Sequence, residues 1–289
     1  PIQMLTTTTA LSPLSSTSVP TNADADQQLS SLRSPSFWGE PVNDDDSTSN
    51  SEVCNISIED FSVTINDDLA LNIWQAPTAF RGVGHDETGS VVWGASICLS
   101  RFLSPELVQN QRVLELGCGC GLPSMVAAKY GAARVVATDR EDKTLQHLDR
   151  LAQRNGLVGN SLELYKLNWK ESDVNYSLED FQADIILASD VIYSRDMVDP
   201  LVAAIDKYLD ANGKAYLALR NTREGVTDFW QQSMPGAGLT LVESISCQPY
   251  LQDNGSEPSN TLPPGFQNEA ISYRWKGDHT IYVFQRNEV

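Results

Sequence analysis

Val113-Leu114-Glu115-Leu116-Gly117-Cys118-Gly119-Cys120-Gly121 is the stretch on which the reading of this chain turns. Its apolar start reads as a short buried strand, and the three alternate glycines that follow read as a turn. Glycine accepts positive φ and lets a ligand come close to the backbone. The helix expected next, from about Leu122 to Tyr130, aims its free N–H groups and its dipole at the same turn. Glu115 stands at the strand end, where it can meet a positive or hydrogen-bond-donating group. A second strand, Arg134 to Thr138, ends in Asp139. That acid lies one βα unit beyond the glycines, where doubly wound folds hold a ribose diol.

Glycine spacing selects the nucleotide. A dinucleotide turn is G-x-G-x-x-G, which would require glycine where this chain has Leu122. Here the order is G-x-G-x-G behind an acid. A carboxylate at the strand end suits a ligand that carries an amine and no phosphate. Adenosine with a methionine tail, as in S-adenosylmethionine, fits that turn; a pyrophosphate fits it poorly. The competing reading is a glycine-rich turn that binds nothing, and the joint presence of Glu115, the glycines and Asp139 argues against it.

Outward from this turn the chain alternates strand and helix. Strands are expected near 112–116, 134–138, 162–166, 184–189 and 214–220, and helices near 121–130, 141–156, 196–210 and 224–233. Leu239 to Ile245 and Thr280 to Gln285 are two further strands, separated by a Pro/Gly/Asn-rich loop from about Gln248 to Asn268. Upstream, Val91 to Phe102 has helical spacing and ends at Ser104-Pro105. Before it, Ile56, Ile58, Phe61, Val63 and Ile65 recur near period two, Asn66-Asp67-Asp68 signals a turn, and Leu69, Leu71 and Ile73 alternate again, as in a β-hairpin. The fold class is α/β: a doubly wound, Rossmann-like, seven-stranded and mostly parallel sheet, its last pair antiparallel, with an N-terminal β-hairpin extension. Residues 1–52, rich in Ser, Thr, Asp, Asn and Pro, read as a disordered acidic tail, and 53–289 as the folded domain.

Composition narrows the partners. Twenty Lys+Arg against 38 Asp+Glu give a net charge of −18 across 289 residues. Such a surface repels a nucleic-acid backbone and recruits a basic one, so a protein substrate with a basic surface is expected and a nucleic acid is not. The five cysteines are odd in number and form no disulfide framework; no Cys/His pair stands at zinc spacing, so no metal is expected. Reduced cysteines point to the cytoplasm or nucleus. No apolar run approaches a membrane span, and nothing calls for an obligate oligomer, so a monomer is expected.

At this point the residues resemble a known family. The seven-β-strand (class I) methyltransferases share the acid-L-G-x-G-x-G turn and the acid after the second strand. More narrowly the chain resembles the family-16 methyltransferases, which include lysine methyltransferases acting on valosin-containing protein, a heat-shock chaperone, calmodulin and elongation factors. Three further stretches carry the match: Thr88-Gly89-Ser90-Val91-Val92-Trp93, like T-G-x-x-x-W; Leu167-Asn168-Trp169, like L-x-W; and Asp190-Val191-Ile192-Tyr193, like D-x-x-Y. The likeness is strong from Glu87 to about Asp210 and thin afterwards.

The resemblance implies S-adenosylmethionine as cofactor and places residues around it. Trp93 would pack beside the methionine end, Glu115 would belong to the cofactor turn, and Gly117, Cys118 and Gly119 would line the cofactor with backbone. Asp139 would accept both ribose hydroxyls, Trp169 would lie against the adenine, and Ser189 would form pocket wall. Asp190 and Tyr193 would face the methyl-accepting group, with Asp190 orienting it and Tyr193 shaping the slot. The leading expectation is methyl transfer to a protein lysine. The alternatives are an arginine of a histone-like protein, a small-molecule amine and a cofactor-binding scaffold, with a nicotinamide oxidoreductase more distant. Specificity would come from the hairpin, the Thr78–Gly89 loop and the Gln248–Asn268 loop.

Overall fold

A computed structural model describes residues 59–75, 87–157, 162–170, 178, 180–251 and 278–287. The tail 1–52, residues 78–86 of the first loop and 252–268 of the last lie outside the described residues. The central sheet contains β3 (Arg112–Leu116), β4 (Arg134–Asp139), β5 (Glu163–Lys166), β6 (Ala183–Ser189), β7 (Leu209–Arg220), β8 (Leu239–Ser246) and β9 (His279–Arg286). Their spatial order is β5-β4-β3-β6-β7-β9-β8. Pairs β3/β4, β3/β6, β4/β5 and β6/β7 are parallel, whereas β9 runs antiparallel between β7 and β8. The order reverses between β3 and β6. That switch point opens a crevice beyond the carboxyl ends of the strands.

Both faces of the parallel strands are covered, which is why they read as near-continuous apolar runs. Val113, Val135, Ala137, Ile185 and Leu187 pack on one face; Leu114, Leu116, Val136, Ile186 and Ala188 pack on the other. The first face carries α1 (Gly94–Phe102), α3 (Leu122–Lys129) and α4 (Asp142–Arg154). The second carries α5 (Val198–Tyr208) and a helical run over 226–236. A short α2 (Pro105–Val108) links α1 to β3. In α4, Leu145, Leu148, Leu151 and Ala152 form the buried stripe, and Asp149 and Gln153 stay outside.

The hairpin is present as β1 (Glu59–Thr64) and β2 (Ala70–Gln75), paired antiparallel as a separate two-stranded sheet. Asn66 Oδ1 closes its turn by accepting the N–H groups of Asp68 and Leu69. Phe61, Val63, Leu71, Ile73 and Trp74 bury against the first face. The hairpin is held to α4: Asn155 exchanges two hydrogen bonds with the Asn72 backbone, and Arg154 pairs with Asp60 at 2.8 Å while lying over the Trp74 ring. His147 Nε2–H donates to the Trp74 carbonyl at 2.9 Å.

Three boundaries differ from the sequence reading. α1 starts at Gly94 rather than Val91, because the preceding Glu87–Ser90 forms a 3-10 turn and Trp93 is extended. α5 stops at Tyr208, and β7 begins at once with Leu209 opposite Ala183. The polar Asp210-Ala211-Asn212-Gly213 therefore runs inside a bulged strand, where a Cβ on Gly213 would stand 2.8 Å from the Ala183 carbonyl. The helical run over 226–236 has a π turn, Phe229–Ser233, in its middle. Among the described residues no helix is long and apolar enough to cross a membrane, and no group of His, Cys, Asp and Glu could hold a metal ion.

Candidate active site

A cavity of about 380 Å³ opens at the switch point. Its walls are the turns after five parallel-sheet strands and the lead-in to α1. Gly117, Cys118, Gly119 and Cys120 follow β3; Asp139, Arg140 and Glu141 follow β4; Leu167, Asn168 and Trp169 follow β5. Ser189, Asp190, Val191 and Tyr193 follow β6, Arg223 follows β7, and Gly89, Val91, Trp93 and Ser96 come from the lead-in.

The glycine turn is tight for reasons that its sequence states. Gly117, Gly119 and Gly121 all have positive φ, at 67°, 52° and 64°. A Cβ on Gly121 would sit 2.4 Å from Leu148 Cδ1, so the turn is pressed onto α4. One on Gly117 would sit 2.9 Å from Val191 Cγ1 and 3.2 Å from the Trp169 ring, on the cavity side. Cys118 N–H donates to the Thr138 carbonyl at 2.9 Å, and Gly121 N–H to the Cys118 carbonyl at 2.7 Å. Cys118 and Cys120 are buried in the turn and form no disulfide. Cys120 Sγ lies 3.5 Å from the Gly89 carbonyl, which joins the lead-in to the glycine turn.

Asp139 is cradled by backbone. Its Oδ2 accepts the Gly119 N–H and its Oδ1 the Glu141 N–H, each at 3.1 Å. Burial raises its pKa, and those two N–H groups pull the other way. Each oxygen keeps lone-pair capacity for a further donor. Asp139 also ties strands together, because its carbonyl accepts the Leu167 N–H at 2.9 Å and so places Trp169 across the cavity.

Nine of the ten residues singled out in the sequence line this cavity: Trp93, Gly117, Cys118, Gly119, Asp139, Trp169, Ser189, Asp190 and Tyr193. Glu115 is the exception. It is fully buried beneath the turn, where its Oε2 accepts the Ser124 N–H at 2.9 Å and the Ser124 hydroxyl. It meets a hydrogen-bond donor, as its place at the strand end suggested, but that donor is the first turn of α3 rather than a ligand amine. Burial pushes its pKa up to about 8, against the two Ser124 bonds.

Asp190 also lines the cavity. It takes φ 52°, unusual for a residue with a side chain, and its N–H donates to the Ala218 carbonyl at 2.9 Å. Only 7% of its side chain is exposed. Its Oδ1 has no hydrogen-bond partner, and its Oδ2 lies 4.0 Å from an Arg223 guanidinium nitrogen. Burial raises the Asp190 pKa, opposed by Arg223, His279 and Arg220. Tyr193 is 43% exposed at the mouth. Asp190 caps no helix; Ser194 occupies the N-cap position of the next helical turn. The sequence reading missed Arg223, which lies on a turn with no motif and reaches the site only through the fold.

A doubly wound sheet with this turn, an acid at the end of the second strand and a D-x-x-Y segment at its carboxyl edge is the arrangement of a class I methyltransferase. A model of the lysine methyltransferase family matches residues 65–234, more than half of the chain, and the chain belongs to that family. Three relatives illustrate its reach. The protein N-terminal and lysine N-methyltransferase EFM7 of Candida glabrata is 34% identical over 181 residues, covering 57% of this chain and 70% of the relative. The protein N-lysine methyltransferase METTL21A of Xenopus tropicalis is 37% identical over 118 residues, 39% of this chain and 52% of the relative. A histidine protein methyltransferase 1 homolog of Dictyostelium discoideum is 30% identical over 165 residues, 55% of this chain and 48% of the relative. The chain thus spans about half the length of the last two.

The methyl donor of this enzyme class is S-adenosylmethionine, and the residues present fit it. A 380 Å³ cavity is of the size that holds a drug-sized ligand. The glycine turn leaves room where side chains would fill it, and Asp139 offers a carboxylate with spare acceptor capacity. Trp169 Nε1 is buried without a partner, facing neither protein acceptor nor solvent.

Proposed function

We propose that this chain transfers a methyl group from S-adenosylmethionine to a lysine side-chain amine of a protein substrate. The observation that carries the reading is that Asp190, a buried carboxylate with an unpartnered oxygen, and Tyr193, an exposed tyrosine, line the same cavity as the glycine turn and Asp139. The name of the METTL21A relative, a protein N-lysine methyltransferase, supports the same acceptor, and that of EFM7 includes lysine beside the protein N-terminus. The acidic balance of the chain favours a substrate with a basic surface.

When bound, the cofactor supplies a sulfonium methyl group that an amine lone pair takes in line. The chain's own residues provide position and desolvation. Asp139 accepts the ribose hydroxyls, Gly117, Cys118 and Gly119 give the cofactor a backbone wall, and Trp93, Trp169 and Ser189 close the sides. A lysine amine has a pKa near 10.4 and arrives protonated. The Asp190 carboxylate accepts a hydrogen bond from that nitrogen and orients it, while the Tyr193 ring shapes the slot and faces the positive charge. Burial in the slot favours the neutral amine, whose proton leaves to water or to the carboxylate.

The test is methyl transfer from radiolabelled S-adenosylmethionine into a cell extract, followed by acid hydrolysis and amino-acid analysis. Asp139→Ala serves as the cofactor-blind control. Methyl-lysine in a discrete protein band is the expected result. Methyl-arginine or methyl-histidine would replace the acceptor, and label confined to small molecules would remove the protein substrate. Asp190→Ala is expected to bind cofactor with unchanged affinity and to lose at least ~100-fold in turnover; full turnover by that variant refutes the role given to Asp190.

A further inference from the structure

We propose that Arg223 is a positioning residue for methyl transfer: its guanidinium, reaching across from the turn after β7, holds the Asp190 carboxylate charged and aimed at the acceptor end of the cavity. This rests on the reading of Asp190 as the group that orients the acceptor amine, and it adds a residue that no motif contains.

Geometry carries the assignment. Arg223 lines the same cavity as Asp190, and the guanidinium stands 4.0 Å from Asp190 Oδ2. At that distance the two charges attract without a direct hydrogen bond, so the carboxylate lone pairs stay available to an incoming N–H. Oδ1 is buried and has no partner at all. A carboxylate 7% exposed and so poorly hydrogen-bonded would lose its charge unless a cation stood beside it. Arginine suits the task because it remains protonated throughout the working pH range.

The turn that bears Arg223 is fixed from both sides. Asn221 N–H donates to the Asp278 carbonyl at 2.8 Å, and its side chain bonds Thr280 and the Tyr282 hydroxyl. On the other side, Gly225 has φ 87° and packs so closely that a Cβ there would sit 3.1 Å from Arg195 Cα and 3.0 Å from Val198 Cγ2. Arg195 pairs with Asp228 across the same junction. The segment after β6 and the segment after β7 are therefore clamped to each other, and the Asp190–Arg223 spacing is set by the fold. The other charged groups that act on Asp190 are Arg220 at the end of β7 and His279 at the start of β9. Asp139, Arg140 and Glu141 stand in the cavity wall contributed by β4.

The test reads the carboxylate directly and needs no protein substrate. Full-length protein labelled with 13C at the aspartate carboxyls is titrated by NMR with saturating S-adenosylmethionine, and Asp190→Asn assigns the signal. In Arg223→Gln the Asp190 midpoint is expected to rise by about one pH unit or more, and in Arg223→Lys by less than half as much. Arg223→Met supplies a second charge-free variant should the first unfold, and calorimetric cofactor binding verifies folding. A midpoint unmoved in a folded charge-free variant overturns the proposal. The acid limb of the transfer rate should move to higher pH by the same amount. An unlabelled extract with wild-type protein would count against the lysine reading alone, because the carboxylate titration is scored separately.

Discussion

Replacing Glu115 by glutamine should make the protein more stable, by a margin that grows as pH rises from 4.5 to about 8. Glu115 is fully buried, its Oε2 is served by Ser124, and its Oε1 has no partner. Burial lifts the carboxyl from its ordinary 4.5 to about 8. A carboxyl raised in this way contributes stability that is complete below 4.5, the unfolded value, and is lost as pH rises through the folded value of about 8. Glutamine keeps an oxygen for the Ser124 N–H and never ionises. The gap between 4.5 and about 8, at about 1.4 kcal/mol per pH unit, sets a ceiling of roughly 5 kcal/mol. Water entry and relaxation at the start of α3 reduce this to about 2–4 kcal/mol, or roughly 5–15 °C in melting temperature. The assay is thermal unfolding of both proteins from pH 5 to 9 at constant ionic strength. The two should melt nearly together at pH 5, wild type should fall progressively below the variant up to about pH 8, and the gap should then hold constant. Curves that stay parallel across the range would refute the idea that the buried acid is held neutral by its surroundings.

Other substitutions separate cofactor binding from folding. Gly117→Ala places a methyl group 2.9 Å from Val191 and 3.2 Å from Trp169 in a left-handed conformation; we expect cofactor affinity to fall at least ~10-fold by calorimetry, with about 1 kcal/mol lost in stability. Gly121→Ala drives a methyl group into Leu148, beneath the turn and away from the cavity; its main effect should be a loss of about 2–4 kcal/mol in denaturant unfolding. Asp139→Ala removes the acceptor that two backbone N–H groups hold in place; cofactor binding should weaken at least ~100-fold in titration calorimetry, while far-UV circular dichroism stays unchanged.

Most of the fold and most of the site were legible because their causes are local. Strands β3, β4 and β6 announce themselves as apolar runs, since helices cover both sheet faces, and three alternate glycines mark the cavity turn by their positive φ. The D-x-x-Y segment was legible as a motif and fell on the cavity beside Trp169. What stayed hidden depends on contacts between distant segments. Glu115 reads as a ligand-facing acid until the fold turns Ser124, nine residues on, back onto it. Arg223 is one arginine in a turn until β7, paired with β6, delivers it to Asp190. The early start of β7 was masked by polar residues typical of a turn, which the bulge opposite Ala183 accommodates.

The place of β9 bears on how the chain comes to be folded during synthesis. β9 is the last described strand, yet it lies inside the sheet, and among the described strands β8 pairs with no other. Every described turn that lines the cavity precedes it. A ribosome that has passed Arg223 has already made all of those walls, on a half-sheet whose β7 edge is still bare. Until residues 279–286 emerge, that edge and the waiting β8 are exposed to mispairing with other chains. Losing the final strand would unseat two neighbours rather than one.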